Sequence, residues 1–285
     1  MAERFSKVAI KVASNEEVAP GHFVTTFEDG QIGSSAQPGQ FFQIRLQGPG
    51  APFLPRPLSI FDWHRSSRGE IIGFKVLYKV IGDGTAALSR LAKGDEAAVT
   101  GPLGNSFEMP GEGRKVFIVA GGIGIAPFMA LSKKCIDAGI DAADIELFYG
   151  ARTQELLVEQ EAFSEAGIRV SVITDDGSSG RKGTALELLE ERLVEIEPGL
   201  AAVYASGPTP MLNALAVFCR KRDIAAQLSL EARMICGIAV CNSCAIKVVS
   251  AKDAEGWEYK LVCRDGPIFD ARSLYINPQA PDRSI

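Results

Sequence analysis

Four cysteines near the C-terminal end constrain this chain more than any other feature. They lie in Cys236-Gly237-Ile238-Ala239-Val240-Cys241-Asn242-Ser243-Cys244 and at Cys263. Four residues separate the first pair, two the second, and eighteen stand between the third thiol and the fourth. Plant-type loops that hold a 2Fe–2S cluster on four thiolates have this spacing. Such a loop must turn sharply and aim backbone N–H groups at sulfur, so it needs small residues. Gly237, Ala239 and Ser243 supply them, and Gly237 tolerates positive φ. A structural zinc site on the same thiols is the competing reading. Zinc knuckles usually carry two short Cys pairs, whereas only one pair here has the two-residue gap.

A one-electron centre needs a redox partner on each side, so the remaining sequence is read as wiring. The 285 residues suffice for two or three domains. A net charge of −5 argues against a nucleic-acid partner. No run of about 18 apolar residues predicts a membrane span, and the N-terminus lacks the apolar core of a signal peptide. Cys135 and Cys219 stand alone in helical patterns and read as small buried hydrophobes. Unpaired thiols fit a reducing cytoplasm. Only His22 and His64 are present, without metal-ligand spacing, so neither a histidine metal site nor a Ser-His-Asp triad is supported, and no catalytic residue is assigned.

Residues 5 to about 108 read as short strands, among them 8–13, 22–27, 41–46 and 71–80, separated by turn signals such as Asp29-Gly30 and Pro38-Gly39. Six or so strands in about 100 residues predict a small antiparallel barrel. Two of its segments suit an anionic cofactor. In Arg56-Pro57-Leu58-Ser59 the guanidinium matches a pyrophosphate with two parallel charge-assisted bonds, and Ser59 adds a small donor. A solvated arginine before an edge strand is the plainer reading. In Leu77-Tyr78-Lys79 followed by Gly82-Asp83-Gly84-Thr85, a strand ends in glycines and a helix begins. Gly84 would let a phosphate approach, and Thr85 offers a hydroxyl or an N-cap. An ordinary capped turn is the alternative. Residues 99–105 read as a turn-rich close to the domain.

From residue 112 the period changes. Val116-Phe117-Ile118-Val119-Ala120 is the continuous apolar run of a parallel strand buried on both faces. Further strands at 145–149, 169–173 and 202–205 alternate with helices at 128–138, 155–166, 185–194 and 210–222, which predicts an open parallel sheet. Ligands of such sheets lie beyond the carboxyl ends of the strands. Three loops are placed there: Gly121-Gly122-Ile123-Gly124, Thr174-Asp175-Asp176-Gly177 and Ser206-Gly207-Pro208-Thr209-Pro210-Met211. The glycines suit a dinucleotide phosphate, although the pattern is not G-x-G-x-x-G. Asp175 and Asp176 are ribose candidates or plain turn acids. Arg152 meets an adenosine phosphate or is solvated. In the last segment, 245–249 and 259–262 read as a hairpin around a turn at 252–256 that returns Cys263 to the other thiols. The end, 277–285, reads as frayed or partner-bound. The expected organisation is a barrel at 1–110, an α/β domain at 111–228 and a small cluster domain at 229–285.

Taken in order, Arg56–Ser59, Leu77–Lys79 with Gly82–Thr85, Gly101-Pro102-Leu103-Gly104-Asn105, Gly121–Pro127, Ser206–Leu212 and the cysteine loop with Cys263-Arg264-Asp265-Gly266-Pro267 resemble the electron-transfer subunits of dihydroorotate dehydrogenase, in the ferredoxin–NADP reductase superfamily. The resemblance spans roughly residues 5–276. It implies FAD in the barrel, held by Arg56, Pro57, Leu58, Ser59, Leu77, Tyr78 and Lys79, with Gly84 and Thr85 at the pyrophosphate. It implies NAD(H) on the α/β domain, beside Gly121, Gly122, Gly124, Ser206, Gly207, Pro208 and Met211, and a 2Fe–2S cluster on Cys236, Cys241, Cys244 and Cys263. It also implies an FMN-containing catalytic partner that oxidises dihydroorotate, a heterotetramer of two subunits of each kind, and electron flow from FMN through cluster and FAD to NAD+. Two positions depart from many members of the superfamily. Leu58 stands where an aromatic residue often stacks on the flavin, and Ser206 stands where a cysteine often precedes Gly-Pro. The same machinery serving a hydrogenase, a bifurcating ferredoxin reductase or an oxygenase is the alternative. A non-redox zinc module is a third reading, from another class.

Overall fold

The computed structural model describes residues 7–48, 50–251 and 255–276. The expected turn at 252–256 lies partly outside the described residues, and the tail at 277–285 lies wholly outside them. Six strands, β1 (Lys7–Ala19), β2 (His22–Glu28), β3 (Phe41–Arg45), β4 (Arg56–Arg65), β5 (Ile71–Lys79) and β6 (Glu96–Leu103), close an antiparallel barrel in the order β1-β2-β5-β4-β3-β6. The period of two is clear in β3. Phe42 and Ile44 enter the barrel core, whereas Phe41 packs outward into the core of the neighbouring domain. Two short helices, α1 (Gly30–Ser35) and α2 (Asp83–Leu88), plug the barrel's connections.

The sequence reading differs from the barrel at three places. Asp29-Gly30, expected as a turn, starts α1, because the Asp29 carboxylate accepts the Ile32 N–H at 2.8 Å as an N-cap. Arg56–Ser59 does not precede an edge strand but is the first half of β4, inside the closed sheet. Residues 99–103 belong to the closing strand β6, whose Gly101-Pro102 disguises it as a turn; a register shift between Phe41 and Gln43 absorbs the irregularity.

The second sheet holds β7 (Lys115–Gly121), β8 (Ile145–Ala151), β9 (Arg169–Thr174), β10 (Ala201–Ser206) and β11 (Ala225–Ser229), all parallel. Helices α3 (Phe128–Asp137), α4 (Gln160–Glu165), α5 (Ala185–Arg192) and α6 (Thr209–Lys221) cover it. Val116, Ile118 and Ala120 face one core and Phe117 and Val119 the other, which is why this strand reads as unbroken apolar sequence. The helix expected over 155–166 is shorter, since Glu159 adopts a left-handed φ of 58° just before α4. The parallel strands run in the order β11-β10-β7-β8-β9, so the switch point lies between β7 and β10.

A hairpin, β12 (Ala245–Val249) with β13 (Trp257–Leu261), leads into the single turn α7 (Val262–Asp265). The chain then returns to the sheet as β14 (Ile268–Asp270), antiparallel to β11. Asn105, at the barrel's exit, clamps this return. Its amide donates to Ile268 O at 2.8 Å and Asp265 O at 3.2 Å and accepts from Ile268 N at 2.9 Å. Two sequence motifs 160 residues apart are therefore two sides of one hydrogen-bonded joint. The Lys133–Asp62 ion pair, 2.7 Å, ties α3 to the barrel. Among the described residues no helix is long and apolar enough to cross a membrane.

Candidate functional site

The loop from β11 to β12 and the turn α7 bring the four thiols together as two pairs. Cys241 contacts Cys236, and Cys263 contacts Cys244. Backbone N–H groups point at sulfur: Ile238 N and Val240 N at Cys236 Sγ (3.5 and 3.4 Å), and Ala239 N at Cys263 Sγ (3.2 Å). The wrap requires left-handed backbone at Gly237 (φ 70°), Ala239 (63°) and Asn242 (57°). Only the glycine was foreseen in that role. The Ser243 hydroxyl lies 3.2 Å from Cys241 Sγ and ties the loop to Arg233 O. Hydrogen bonds from Ser243, and then from Cys236, pull the Cys241 thiol down to about 6. Burial, and then the hydrogen bond with Cys244, push Cys263 up to about 12.

Among the described residues no three His, Cys, Asp or Glu side chains gather as a site for one metal ion. Four thiols ringed by backbone N–H donors suit a thiolate-held iron–sulfur cluster, whose sulfurs accept such bonds.

A cavity of about 430 Å³ opens between the barrel and the second domain. Arg56, Pro57, Leu58 and Ser59 from β4, and Leu77, Tyr78 and Lys79 from β5, form one wall; Thr85, Gly124, Ser206, Glu231 and Pro267 contribute to the rest. Arg56 Nη1 donates to Leu54 O (2.5 Å) and Pro55 O (3.2 Å). Its guanidinium lies over Gly84, where an added Cβ would sit 1.7 Å from Nε. Gly84 thus makes room for Arg56 itself. Thr85 Oγ1 accepts from Ile81 N at 2.9 Å and donates to Gly82 O at 3.0 Å, holding the start of α2. The Tyr78 ring is buried in the barrel core, and its hydroxyl meets Thr25 and Asn15 there. Burial pushes this phenol up to about 12.

A second cavity of about 440 Å³ adjoins the first at the carboxyl ends of β7, β8 and β10. Gly121, Gly122, Gly124, Gly207, Pro208 and Met211 line it, with Arg152 and Asp175. Its glycines have different tasks. A Cβ on Gly121 would meet Pro208 Cδ at 2.7 Å, one on Gly124 would meet Ser206 O at 2.4 Å, and one on Gly207 would meet Met211 Cε at 2.6 Å. These three let the two strand-end loops touch. Gly122, φ 53°, has nothing within 4 Å of that position and faces open space. Asp175 faces the cavity, whereas Asp176 accepts from the Ser178 N–H and hydroxyl (2.9 and 2.6 Å) and serves the turn. Buried Ser206 lines the first cavity.

The two cavities share Lys79, Ile123, Gly124 and Glu231. Glu231 was missed in the sequence, because nothing local marks a residue that becomes important only where two domains meet. It opens onto both cavities from an exposed position.

Residues 231–275 match the family described as the iron–sulfur cluster binding domain of dihydroorotate dehydrogenase B, and residues 118–216 match the oxidoreductase NAD-binding domain. The chain is 40% identical over 268 residues to the dihydroorotate dehydrogenase B (NAD(+)) electron transfer subunit of Caldanaerobacter subterraneus subsp. tengcongensis, covering 94% of this chain and 98% of the relative. To the subunit of the same description from Bacillus caldolyticus it is 35% identical, over 93% of this chain and 97% of that one. The chain belongs to the dihydroorotate dehydrogenase B electron-transfer subunit family. Among solved structures, an NADH-dependent reduced ferredoxin–NADP oxidoreductase superposes with a TM-score of 0.76 at 28% identity, over 94% of this chain and 90% of that one. The ferredoxin reductase of a carbazole 1,9a-dioxygenase, at 23% identity and TM-score 0.64 over 79% and 68%, shares the fold. This chain is thus built on a ferredoxin-reductase-like frame, with the barrel, the parallel sheet and the C-terminal cysteine segment read from the sequence.

Proposed function

We propose that this chain is the electron-transfer subunit of a dihydroorotate dehydrogenase. It carries electrons from a catalytic partner through a 2Fe–2S cluster and FAD to NAD+. One observation carries the reading: the three sites adjoin in series. Pro267, four residues after Cys263, lines the first cavity, and that cavity shares a wall with the second. The barrel, to about residue 110, would hold FAD through Arg56, Pro57, Leu58 and Ser59, with Leu77, Tyr78 and Lys79, and with Gly84 and Thr85 near the pyrophosphate. Residues 111–228 would hold NAD(H) against Gly122 in the cradle formed by Gly121, Gly124, Ser206, Gly207, Pro208 and Met211. Residues 229–285 would hold the cluster on Cys236, Cys241, Cys244 and Cys263.

When bound, FAD exchanges a hydride with nicotinamide and exchanges electrons singly with the cluster. The chain's own residues bind, align and insulate. Arg56 offers a fixed cation at the barrel rim. The packed glycine loops bring backbone close to the dinucleotide, and Asn105 holds the Cys263 turn against the flavin wall. No side chain need act as a general base. The partner in this reading carries FMN, the complex is a heterotetramer, and its place is the cytoplasm, in keeping with six unpaired thiols. The likeness to the ferredoxin–NADP oxidoreductase favours one second reading, the same wiring in another redox complex.

An anaerobic visible spectrum before and after NADH, with the copurifying protein identified, tests these readings. Flavin and broad iron–sulfur bands that bleach with NADH are expected, together with an FMN-binding, dihydroorotate-oxidising partner. A different redox partner would favour the second reading, and a colourless, zinc-loaded preparation would overturn both, because zinc has a filled d shell.

A further inference from the structure

Among the described residues, the amide of Gln43 is the one buried side-chain group without a partner between the first cavity and the cysteine loop. Gln43 lies in the middle of β3, opposite Pro57 of the flavin-wall strand and Thr100 of β6. Its neighbours Phe42 and Ile44 point into the barrel, so alternation turns Gln43 outward, toward the cysteine loop. There it lies flat against Gly237. A Cβ on that glycine would stand 2.3 Å from Gln43 Nε2 and 2.9 Å from Cδ. Gly237 directly follows Cys236, and its left-handed φ leaves the space that the amide fills. Gln43 is 3% exposed, yet neither Nε2 nor Oε1 has a hydrogen-bond partner within the protein. Burying an amide unpaired carries the full cost of its desolvation, so such groups are rare without a reason. The backbone N–H groups of Ile238, Ala239 and Val240 already serve thiol sulfurs in this loop. A side-chain donor beside Gly237 adds to that ring from the flavin side.

We propose that Gln43 Nε2 donates a hydrogen bond to a sulfur of the iron–sulfur centre, and that the barrel sets the potential of the cluster through it. Reduction adds negative charge that is shared by the sulfurs, and an N–H dipole aimed at one of them stabilises the reduced form and raises the potential. One residue of the barrel would then act on the cluster alone and leave the flavin potential where it is. The inference rests on the cluster assignment to the four cysteines.

The test uses the purified, cofactor-loaded complex in three forms: wild type, Gln43→Met, which keeps the shape without a donor, and Gln43→Glu, which replaces the donor by an acceptor. Iron and acid-labile sulfide are counted, and the cluster is titrated by EPR with mediators and dithionite. FAD is followed optically in the same titration. The expected result is a cluster potential shifted negative in Gln43→Met and further negative in Gln43→Glu, with the FAD potential unmoved. Bridging Fe–S Raman bands of the wild type should also shift in D2O, and Gln43→Met should lose that shift. Loaded variants at the wild-type cluster potential would overturn the proposal. So would loss of iron from both variants, which would make Gln43 part of the scaffold of the cage. If Gln43→Met alone loses iron, Gln43→Glu decides by its potential. A wild type devoid of iron would instead sink the cluster assignment itself.

Discussion

The two halves of the thiol cage differ in almost every physical respect. Cys244 and Cys263 are 3% and 4% exposed and belong to the same apolar core as the α/β sheet, beside Ile246, Val248 and Leu261. Cys236 is half-buried and Cys241 is exposed, on a loop whose Ile238 and Val240 point to solvent. Burial raises the Cys263 thiol, while hydrogen bonds lower that of Cys241. The inner pair is thus fixed in the apolar core of the second sheet, and the outer pair is held by the turns of its loop and the Ser243 hydroxyl. The difference gives the site a direction, with one side turned into the protein and the other toward solvent; on the proposed reading these are the flavin side and the partner side.

The sharpest way to break this contrast is to remove one thiol from each half. Cys263→Ser and Cys241→Ser should both lose the cluster entirely, as measured by iron and sulfide content. They should differ in the apoprotein. Cys263→Ser places a hydroxyl in the core at a cost of about 1–3 kcal/mol, whereas Cys241→Ser, at the surface, should stay within about 0.5 kcal/mol. Equal losses in denaturant midpoint would erase the distinction between inner and outer pairs. In Cys241→Ser, NADH should still reduce FAD, since no residue from 235 to 244 lines either cavity; loss of flavin reduction together with the cluster would refute the separation of sites.

Next in size is Arg56→Ala, at the flavin side of the inner half. A charge-assisted bond to phosphate contributes about 1.5–3 kcal/mol, so FAD should bind roughly 10- to 100-fold more weakly. Flavin retained through gel filtration at the wild-type level would mean that Arg56 serves only Leu54, Pro55 and the Gly84 turn. Smaller still is Asn105→Ala, which cuts the joint between the barrel and the Cys263 turn. It leaves the Ile268 N–H unpaired and should cost about 1–3 kcal/mol, read as a lowered denaturant midpoint. If the inner pair is held through this joint, cluster loss on mild heating should accelerate in parallel; an unchanged rate would place the anchor in the hairpin core instead.

The sheets and the spacing of the four thiols were legible in the sequence for physical reasons. Cluster ligands must fall at spacings that a short loop can wrap, and a strand buried on both faces must be apolar throughout, as 116–120 is. What it concealed arises from contacts across long stretches of chain. Strands β11 and β14 are five and three residues long and exist by pairing with the sheet and with each other. Gly121 and Gly122 look alike in the sequence, yet one packs on Pro208 and the other faces open cavity. Asp175 and Asp176 are likewise adjacent and divide between cavity and turn. Gln43 reads as an ordinary polar residue in a strand until Gly237 arrives beside it. The Thr85 hydroxyl, one of two roles open in the sequence, is used in holding its own helix start.

The mildest change probes the outer half. Val240 is 74% exposed and Ile238 41%, two apolar side chains flanking the one exposed thiol of the cage. Single exposed hydrophobes are common, but on the proposed reading these two flank the edge through which an electron would enter from the catalytic partner. Val240→Glu alters nothing that the isolated chain packs, so its unfolding midpoint and its cluster spectrum should match the wild type. Burying a carboxylate in an apolar contact should nevertheless weaken association with the catalytic partner by about tenfold and slow dihydroorotate-dependent reduction of the cluster at limiting partner. NADH-dependent reduction of FAD in the free subunit should be unaffected. Wild-type affinity in a titration of one subunit against the other would move the docking face away from this edge. The exposure of Cys241 would then be a matter of how the loop folds rather than of where electrons enter.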